Sequence, residues 1–298
     1  MRRHADGKSA PRPTQAVAKP RKTELFLPRP GIEVTAAGAK GYLARADALT
    51  FSQALRADVA DIVFLDPPFN LGKDYGVARW LEDGDADAYE FYMNRLIREM
   101  VRVLKPGGAL FLYHLPHWAS RLSHELLQQL QFRHWIAIAM KNGFVRGNNL
   151  YPAHYALLYY TKGEPARFAR PRLQPQVCRH CKKLVKDYGG YTSIIRRKGI
   201  NLSDFWDDLS PVRHKSRKHR TANQLPMLLT DRVVAIAGHL GGVLVDPFAG
   251  TGTSLVSALN AGMFFVGNEM SKQSLRVCMS RIIPRESPSS RTATPASP

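Results

Sequence analysis

The chain has 298 residues, with 43 Lys and Arg against 24 Asp and Glu, and its formal charge of +19 points to a polyanionic partner. Three cysteines exclude a secreted disulfide framework, and no stretch approaches the roughly 20 apolar residues of a membrane helix. The expectation is a soluble cytoplasmic protein built as one large domain with insertions or as two modest ones.

Residues 1–23 hold seven Lys and Arg among Pro and Ala, the composition of a disordered basic tail. The first strand signal is 61–65, a short β-branched apolar run that Asp66-Pro67-Pro68 stops, because proline removes ladder donors. Over 85–104 the apolar residues Tyr89, Met93, Leu96, Ile97 and Met100 recur at helical spacing, and Lys105-Pro106-Gly107-Gly108 ends the helix. A strand is expected at 109–113, a helix at 118–130, and strands at 134–140 and 155–160. This alternation predicts an α/β domain with a mostly parallel sheet. The pattern breaks over 163–220, then resumes with a helix at 225–237 and a strand at 243–246. The last residues, 284–298, are rich in Ser, Pro and Thr and read as a second disordered tail.

After the strand at 243–246 comes Pro247-Phe248-Ala249-Gly250-Thr251-Gly252-Thr253-Ser254, a glycine-rich turn leading into a helix over 255–261. Such a turn lets backbone approach a ligand, and the helix start offers free N–H donors. A strand over 264–267 follows, with Glu269 just beyond it, where an acid commonly holds the hydroxyls of a ribose. Taken alone, a GxG turn is equally a packing device. No Gly-Lys-Ser/Thr ending is present, so a triphosphate would lack its lysine.

Asp66-Pro67-Pro68-Phe69 is the second constellation. An amine on a nucleobase is a poor nucleophile because its lone pair is delocalised into the ring. Chemistry on it needs acceptors for both amine hydrogens, and the Asp66 carboxylate and Pro67 carbonyl can supply them in a rigid frame. Phe69 can stack on a base flipped out of the duplex. A strand end with a tight turn is the plainer reading of the same residues.

With both motifs in place, the sequence resembles the DNA amino-methyltransferases, and the catalytic motif preceding the cofactor loop resembles their β subgroup. The resemblance implies a Rossmann-like domain with circularly permuted motif order and an inserted target-recognition region. It implies transfer of a methyl group from S-adenosyl-L-methionine to adenine N6 or cytosine N4, with Asp66, Pro67, Pro68 and Phe69 catalytic. Asp rather than Ser before Pro-Pro favours adenine. The cofactor residues it implies are Asp47, Asp246, Phe248, Gly250, Gly252, Thr253 and Glu269. Asn223, with Gln224, stands where relatives carry a Gln-Lys-Pro element. A non-catalytic DNA-binding protein that retains the fold is the alternative of a different class.

On this reading residues 24–162 form the catalytic half, 163–218 the target-recognition insertion and 219–283 the cofactor half. The stretch 163–220 carries fifteen Lys and Arg against five acids. Its densest run, Arg213, Lys215, Arg217, Lys218 and Arg220, suits phosphate contacts with double-stranded DNA, which position a protein without specifying sequence. The alternative for such a run is a solvated loop. Cys178 and Cys181 have zinc-ligand spacing, but no second Cys-x-x-Cys exists and no metal is needed. The resemblance also makes a homodimer and a cognate restriction endonuclease expected partners.

Overall fold

The computed structural model describes residues 18–28, 32–70, 85–140, 148, 150, 152–185, 189–209 and 224–283. In chain order the elements are α1 (Lys22–Leu25), β1 (Glu33–Ala37), β2 (Gly41–Arg45), α2 (Ala48–Ala54), β3 (Ala60–Leu65), α3 (Ala86–Val103), β4 (Leu104–His114) and α4 (Pro116–Leu127). They continue with β5 (Gln131–Ala139), β6 (His154–Thr161), β7 (Arg172–Leu173), α5 (Thr192–Lys198), β8 (Ile200–Asn201) and β9 (Phe205–Trp206). The last are α6 (Met227–Ala237), β10 (Val243–Asp246), α7 (Thr253–Asn260), β11 (Phe264–Asn268) and α8 (Lys272–Ile282).

One nine-stranded sheet runs in the order β1-β2-β11-β10-β3-β4-β6-β5-β9. From β2 to β4 every neighbour is parallel. The middle stretches of β3, β4, β10 and β11 are apolar because both faces are covered. Val63 and Leu65 of β3 point to the layer that contains α2, α3 and α4, while Ile62 and Phe64 join α6, α7 and α8 on the other face. The period of two along each strand thus yields three layers, helix, sheet and helix. Antiparallel pairs occupy the margins, β1 with β2 on one side and β4, β6 and β5 on the other.

The central register sets the site. β3 and β10 lie side by side, Val63 opposite Val245. From β3 the chain passes through α3 to β4 on one side, and from β10 it passes through α7 to β11 on the other. The winding reverses between them, which opens a crevice beyond their C-terminal ends.

Helix starts follow local chemistry. Asp85 caps α3 by accepting from the Asp87 and Ala88 amides, and Pro116 sits in the first turn of α4, where a missing N–H costs nothing. The tail expected to reach residue 23 ends sooner. Lys19 donates to the Gly38 and Gly41 carbonyls and lies 4.0 Å above the Tyr42 ring, and the Tyr42 hydroxyl donates to Pro20. A cationic stem over an aromatic face gives this segment a partner that its composition does not reveal. Residues 1–17 and 284–298 lie outside the described residues.

The insertion contains more regular structure than its sequence suggests: α5, a two-stranded β7-β8 ladder, and β9, which pairs in parallel with β5. Trp206 of β9 is 1% exposed. The Arg232 guanidinium of α6 lies 5.1 Å from that indole and donates to both Asp208 oxygens at 2.8 and 2.5 Å. Arg232 is 4% exposed, so removing its partner leaves a buried charge. Asp208→Ala is expected to lower unfolding stability by about 3 kcal/mol, measurable by urea denaturation. A change below roughly 0.5 kcal/mol would show that the pair does not anchor the insertion.

Candidate active site

Two acids emerge from adjacent strand ends. Asp246 closes β10 and Asp66 follows β3. Both line one cleft with Gln224, Leu225, Phe248, Ala249, Thr251, Thr253 and Ser254. The structure therefore brings together the two motifs that the sequence holds far apart.

Asp246 is buried, accepts from the Phe248 amide at 2.8 Å and also accepts from the Ser254 hydroxyl. Burial pushes its carboxyl up to about 7. The two hydrogen bonds oppose that rise, and the negative charges of Asp66 and Glu269 add to it. Asp66 and Asp246 thus face one cleft, which favours a cationic ligand.

The turn after β10 is held from outside. Gly252 adopts φ +81° at the start of α7 and supplies no side-chain cap. Arg281 of α8 donates to the Thr251 carbonyl at 2.6 Å and reaches the Thr251 and Thr253 hydroxyls at 3.3 and 3.2 Å. Asn268 at the end of β11 bonds the Ala46 amide and carbonyl and the Pro247 carbonyl, so three strand ends are tied together. Glu269 accepts from the Ser271 amide at 2.7 Å.

Asp47 is the N-cap of α2. Its Oδ1 accepts from the Leu49 and Thr50 amides, and its Oδ2 accepts from the Tyr92 hydroxyl at 2.8 Å. Burial first, then the Asp47 charge and hydrogen bond, push Tyr92 well above the usual phenol range. Asp47 is thus a capping residue whichever ligand it meets.

Phe69 lies on the inner side of the loop. Its ring is 6% exposed and already stacked, 5.0 Å from the His114 imidazole at 27°. Tyr113 and Tyr155 tilt against it, each at 5.9 Å. The ring is thus packed in an aromatic socket between β4 and β6. Burial and then the Asp66 charge raise the Tyr113 and Tyr155 hydroxyls.

Sequence reasoning passed over Tyr89, His114, Tyr113, Tyr155 and Arg281. His114 carried a usable signal, a polar residue ending an otherwise apolar strand. Asn223, Arg213, Lys215, Arg217, Lys218 and Arg220 lie outside the described residues. Cys178 is partly buried, Cys181 is exposed and Cys278 is buried on α8. Among the described residues, no group of three His, Cys, Asp or Glu side chains could hold a metal ion. No helix among them is long and apolar enough to cross a membrane.

Known proteins share this arrangement. The type II methyltransferase M.BamHI of Bacillus amyloliquefaciens is 42% identical over 236 residues, covering 77% of this chain and 54% of that protein. The chain thus spans about half the length of that relative. The crystal structure of an M1.HpyAVI–SAM complex matches with a TM-score of 0.54 at 18% identity, covering 80% of this chain and 98% of that one. The cytosine-N4-specific PvuII DNA methyltransferase matches with a TM-score of 0.59 at 13% identity, covering 82% and 86%. These two structures share the fold. The family model of the N6/N4 methyltransferases, described as DNA methylase, spans residues 60–280, from the strand that delivers Asp66 to the helix that braces the glycine turn, and the chain belongs to that family.

Proposed function

We propose that this chain transfers a methyl group from S-adenosyl-L-methionine to the exocyclic amine of a base in double-stranded DNA. The observation that carries this reading is the shared cleft of Asp66 and Asp246 at the point where the sheet winding reverses. The donor set fits the cofactor. Asp66 and Asp246 place carboxyl groups where a sulfonium and an ammonium need them, and the uncapped first turn of α7 offers backbone donors. Phe248, Gly250, Gly252 and Thr253 would hold the methionine part, Glu269 the ribose and Asp47 the adenine. Both Asp47 oxygens already accept hydrogen bonds, so an adenine amine would use a further lone pair.

Bound there, the sulfonium supplies a methyl group already activated for in-line displacement. The chain's own residues act on the other reactant. Asp66 and the Pro67 carbonyl accept the two amine hydrogens, localise the nitrogen lone pair and orient it, and Asp66 takes the proton that the amine sheds. Pro68 stiffens the loop and Phe69 anchors it from below. Positioning and fixed dipoles carry the catalysis, with no covalent enzyme intermediate.

Adenine N6 is the target proposed from Asp66. Cytosine N4 is the second reading, because an acid and a carbonyl recognise only an amine on a ring. Incubation with tritiated cofactor and DNA from a methylation-free host, followed by nucleoside analysis, tests the activity and names the base. Binding of DNA without binding of cofactor would favour the non-catalytic alternative.

The insertion is proposed to grip DNA. Of its described part, Arg196, Arg197 and Lys198 end α5, a helix with no buried residue. In sequence, the run Arg213 to Arg220 adds five further Lys and Arg. Deletion of residues 1–17, which stops short of the docked Lys19, is expected to weaken DNA binding. It should also flatten the salt dependence by about 0.9 in slope for each phosphate that is no longer neutralised. Anisotropy titrations over a salt series measure both. The methylated motif should stay the same, and a changed motif would count against a purely electrostatic role. A homodimer and a cognate endonuclease belong to the same proposal.

A further inference from the structure

Beneath the Asp66 loop lies a buried chain of hydrogen bonds with one consistent set of protons. The Leu115 amide donates to His114 Nδ1 at 2.8 Å. A neutral imidazole that accepts at Nδ1 carries its hydrogen on Nε2. That Nε2 lies 2.7 Å from the Tyr89 hydroxyl oxygen and therefore donates to it. The Tyr89 hydrogen goes on to the Pro68 carbonyl at 2.6 Å. Both side chains are 0% exposed. Burial, and then the charge of His117, drop His114 to about 3, so the ring stays neutral at working pH.

The position of this chain matters because of what Pro67 and Pro68 lack. Neither has an N–H, and their rings already fix φ. The torsion left free is ψ, which a bond to the carbonyl fixes directly. The bond to Pro68 sets the peptide plane that follows it, and the Phe69 ring of the next residue stacks on the same imidazole. Helix α3 supplies Tyr89, strand β4 supplies His114, and together they grip the loop through one carbonyl and one ring.

We propose that Tyr89 and His114 are positioning residues that hold the Asp66-Pro67-Pro68-Phe69 loop in the shape aiming the Asp66 carboxylate and Pro67 carbonyl at the target amine. The proposal rests on the methyl-transfer reading above and adds the device that preorganises its acceptors. Neither residue touches substrate. Their effect belongs to the chemical step rather than to ligand affinity.

The test uses the full chain, tritiated S-adenosyl-L-methionine and DNA from a methylation-free host. Tyr89→Phe deletes one oxygen and preserves the packing against Trp118, whose ring lies 4.5 Å away. It is expected to lower kcat by roughly 10- to 100-fold, the scale of an ångström-sized misplacement, with the KM for cofactor and the Kd for DNA within about two-fold. His114→Gln keeps a nitrogen donor near the Nε2 position and should lose less than His114→Leu. The double variant Tyr89→Phe with His114→Leu should fall no further than the worse single variant, because the chain acts as one unit.

Wild-type kcat in Tyr89→Phe would overturn the proposal, as would KM and Kd rising in step with the loss of kcat. If Tyr89→Phe does not fold, the contrast between His114→Gln and His114→Leu decides, and equal losses overturn it. Failure of the methyl-transfer reading is distinguishable, because the wild-type chain would then incorporate no tritiated methyl group into DNA. An inactive Asp66→Ala beside a fully active Tyr89→Phe rejects only the positioning role.

Discussion

Asp66→Ala is expected to lower methyl transfer about 10³-fold or more, at the upper end of what one electrostatic contact contributes in a preorganised site. On the proposed mechanism the substitution removes the acceptor that localises the amine lone pair and the base that takes its proton. The Pro67 carbonyl alone cannot replace a charged acceptor. Cofactor affinity should change only a few-fold, since the loop after β10 is braced by Arg281 and Asn268 from other elements. The Asp246 carboxyl should titrate lower once the neighbouring negative charge is gone, because Asp66 is one of the groups that raise it. Tritiated-methyl assays and calorimetry with the cofactor measure the two sides. Substantial activity in this variant would remove Asp66 from the reaction.

Gly252→Ala is the second large effect, and it acts on the other ligand. A Cβ at this position would stand 2.5 Å from Cys278 Sγ, on a backbone with φ +81°. The loop cannot retreat, because Arg281 from the same helix as Cys278 holds Thr251 and Thr253. Left-handed backbone costs an L-residue about 1–2 kcal/mol, and overpacking adds roughly 1–3 kcal/mol. The variant should therefore unfold about 2–5 kcal/mol more easily and bind cofactor more weakly, because the turn that faces the ligand is the part displaced. Gly163→Ala is the matched control. Its φ is +75° but nothing lies within 4 Å of the added Cβ, so it carries the backbone part alone. Equal losses in the two variants, by urea unfolding, would show that crowding against Cys278 is unimportant.

The sequence disclosed those parts of the fold whose environment is uniform. Strands β3, β10 and β11 are buried on both faces and read as apolar runs, and α3 repeats its apolar residues along one face. Strands β1 and β2 were illegible because β1 is mostly exposed and mixes Glu, Thr and Ala, so neither alternation nor a continuous run emerges. The two-residue β9 is too short for any periodicity, and only its pairing with β5 makes it a strand.

The site divides in the same way. Asp66 and Asp246 could be found because an acid before proline at the end of an apolar run is a local pattern. Tyr89 looks like a core residue of an amphipathic helix, which it also is. Its hydroxyl acquires a role only when α3, β4 and the loop after β3 meet. Phe69 shows the converse: its place in the motif was legible, and the direction of its ring was decided by Tyr113, His114 and Tyr155 from two other strands.

Strand β9 has a consequence for the solubility of the whole molecule. A strand with unpaired amides and carbonyls along its rim is a template on which other chains can assemble. At Ala137 and Ile138 that rim of β5 is occupied by Phe205 and Trp206, and the Ala137 amide also donates to the Asp204 carbonyl at 2.8 Å. The segment proposed to grip DNA is thus also the cover on this edge of the sheet. A chain trimmed to its two halves would expose strand edge, the Trp206 socket and a buried guanidinium together, and self-association would compete with folding. However the insertion varies, it must keep two residues that pair with β5.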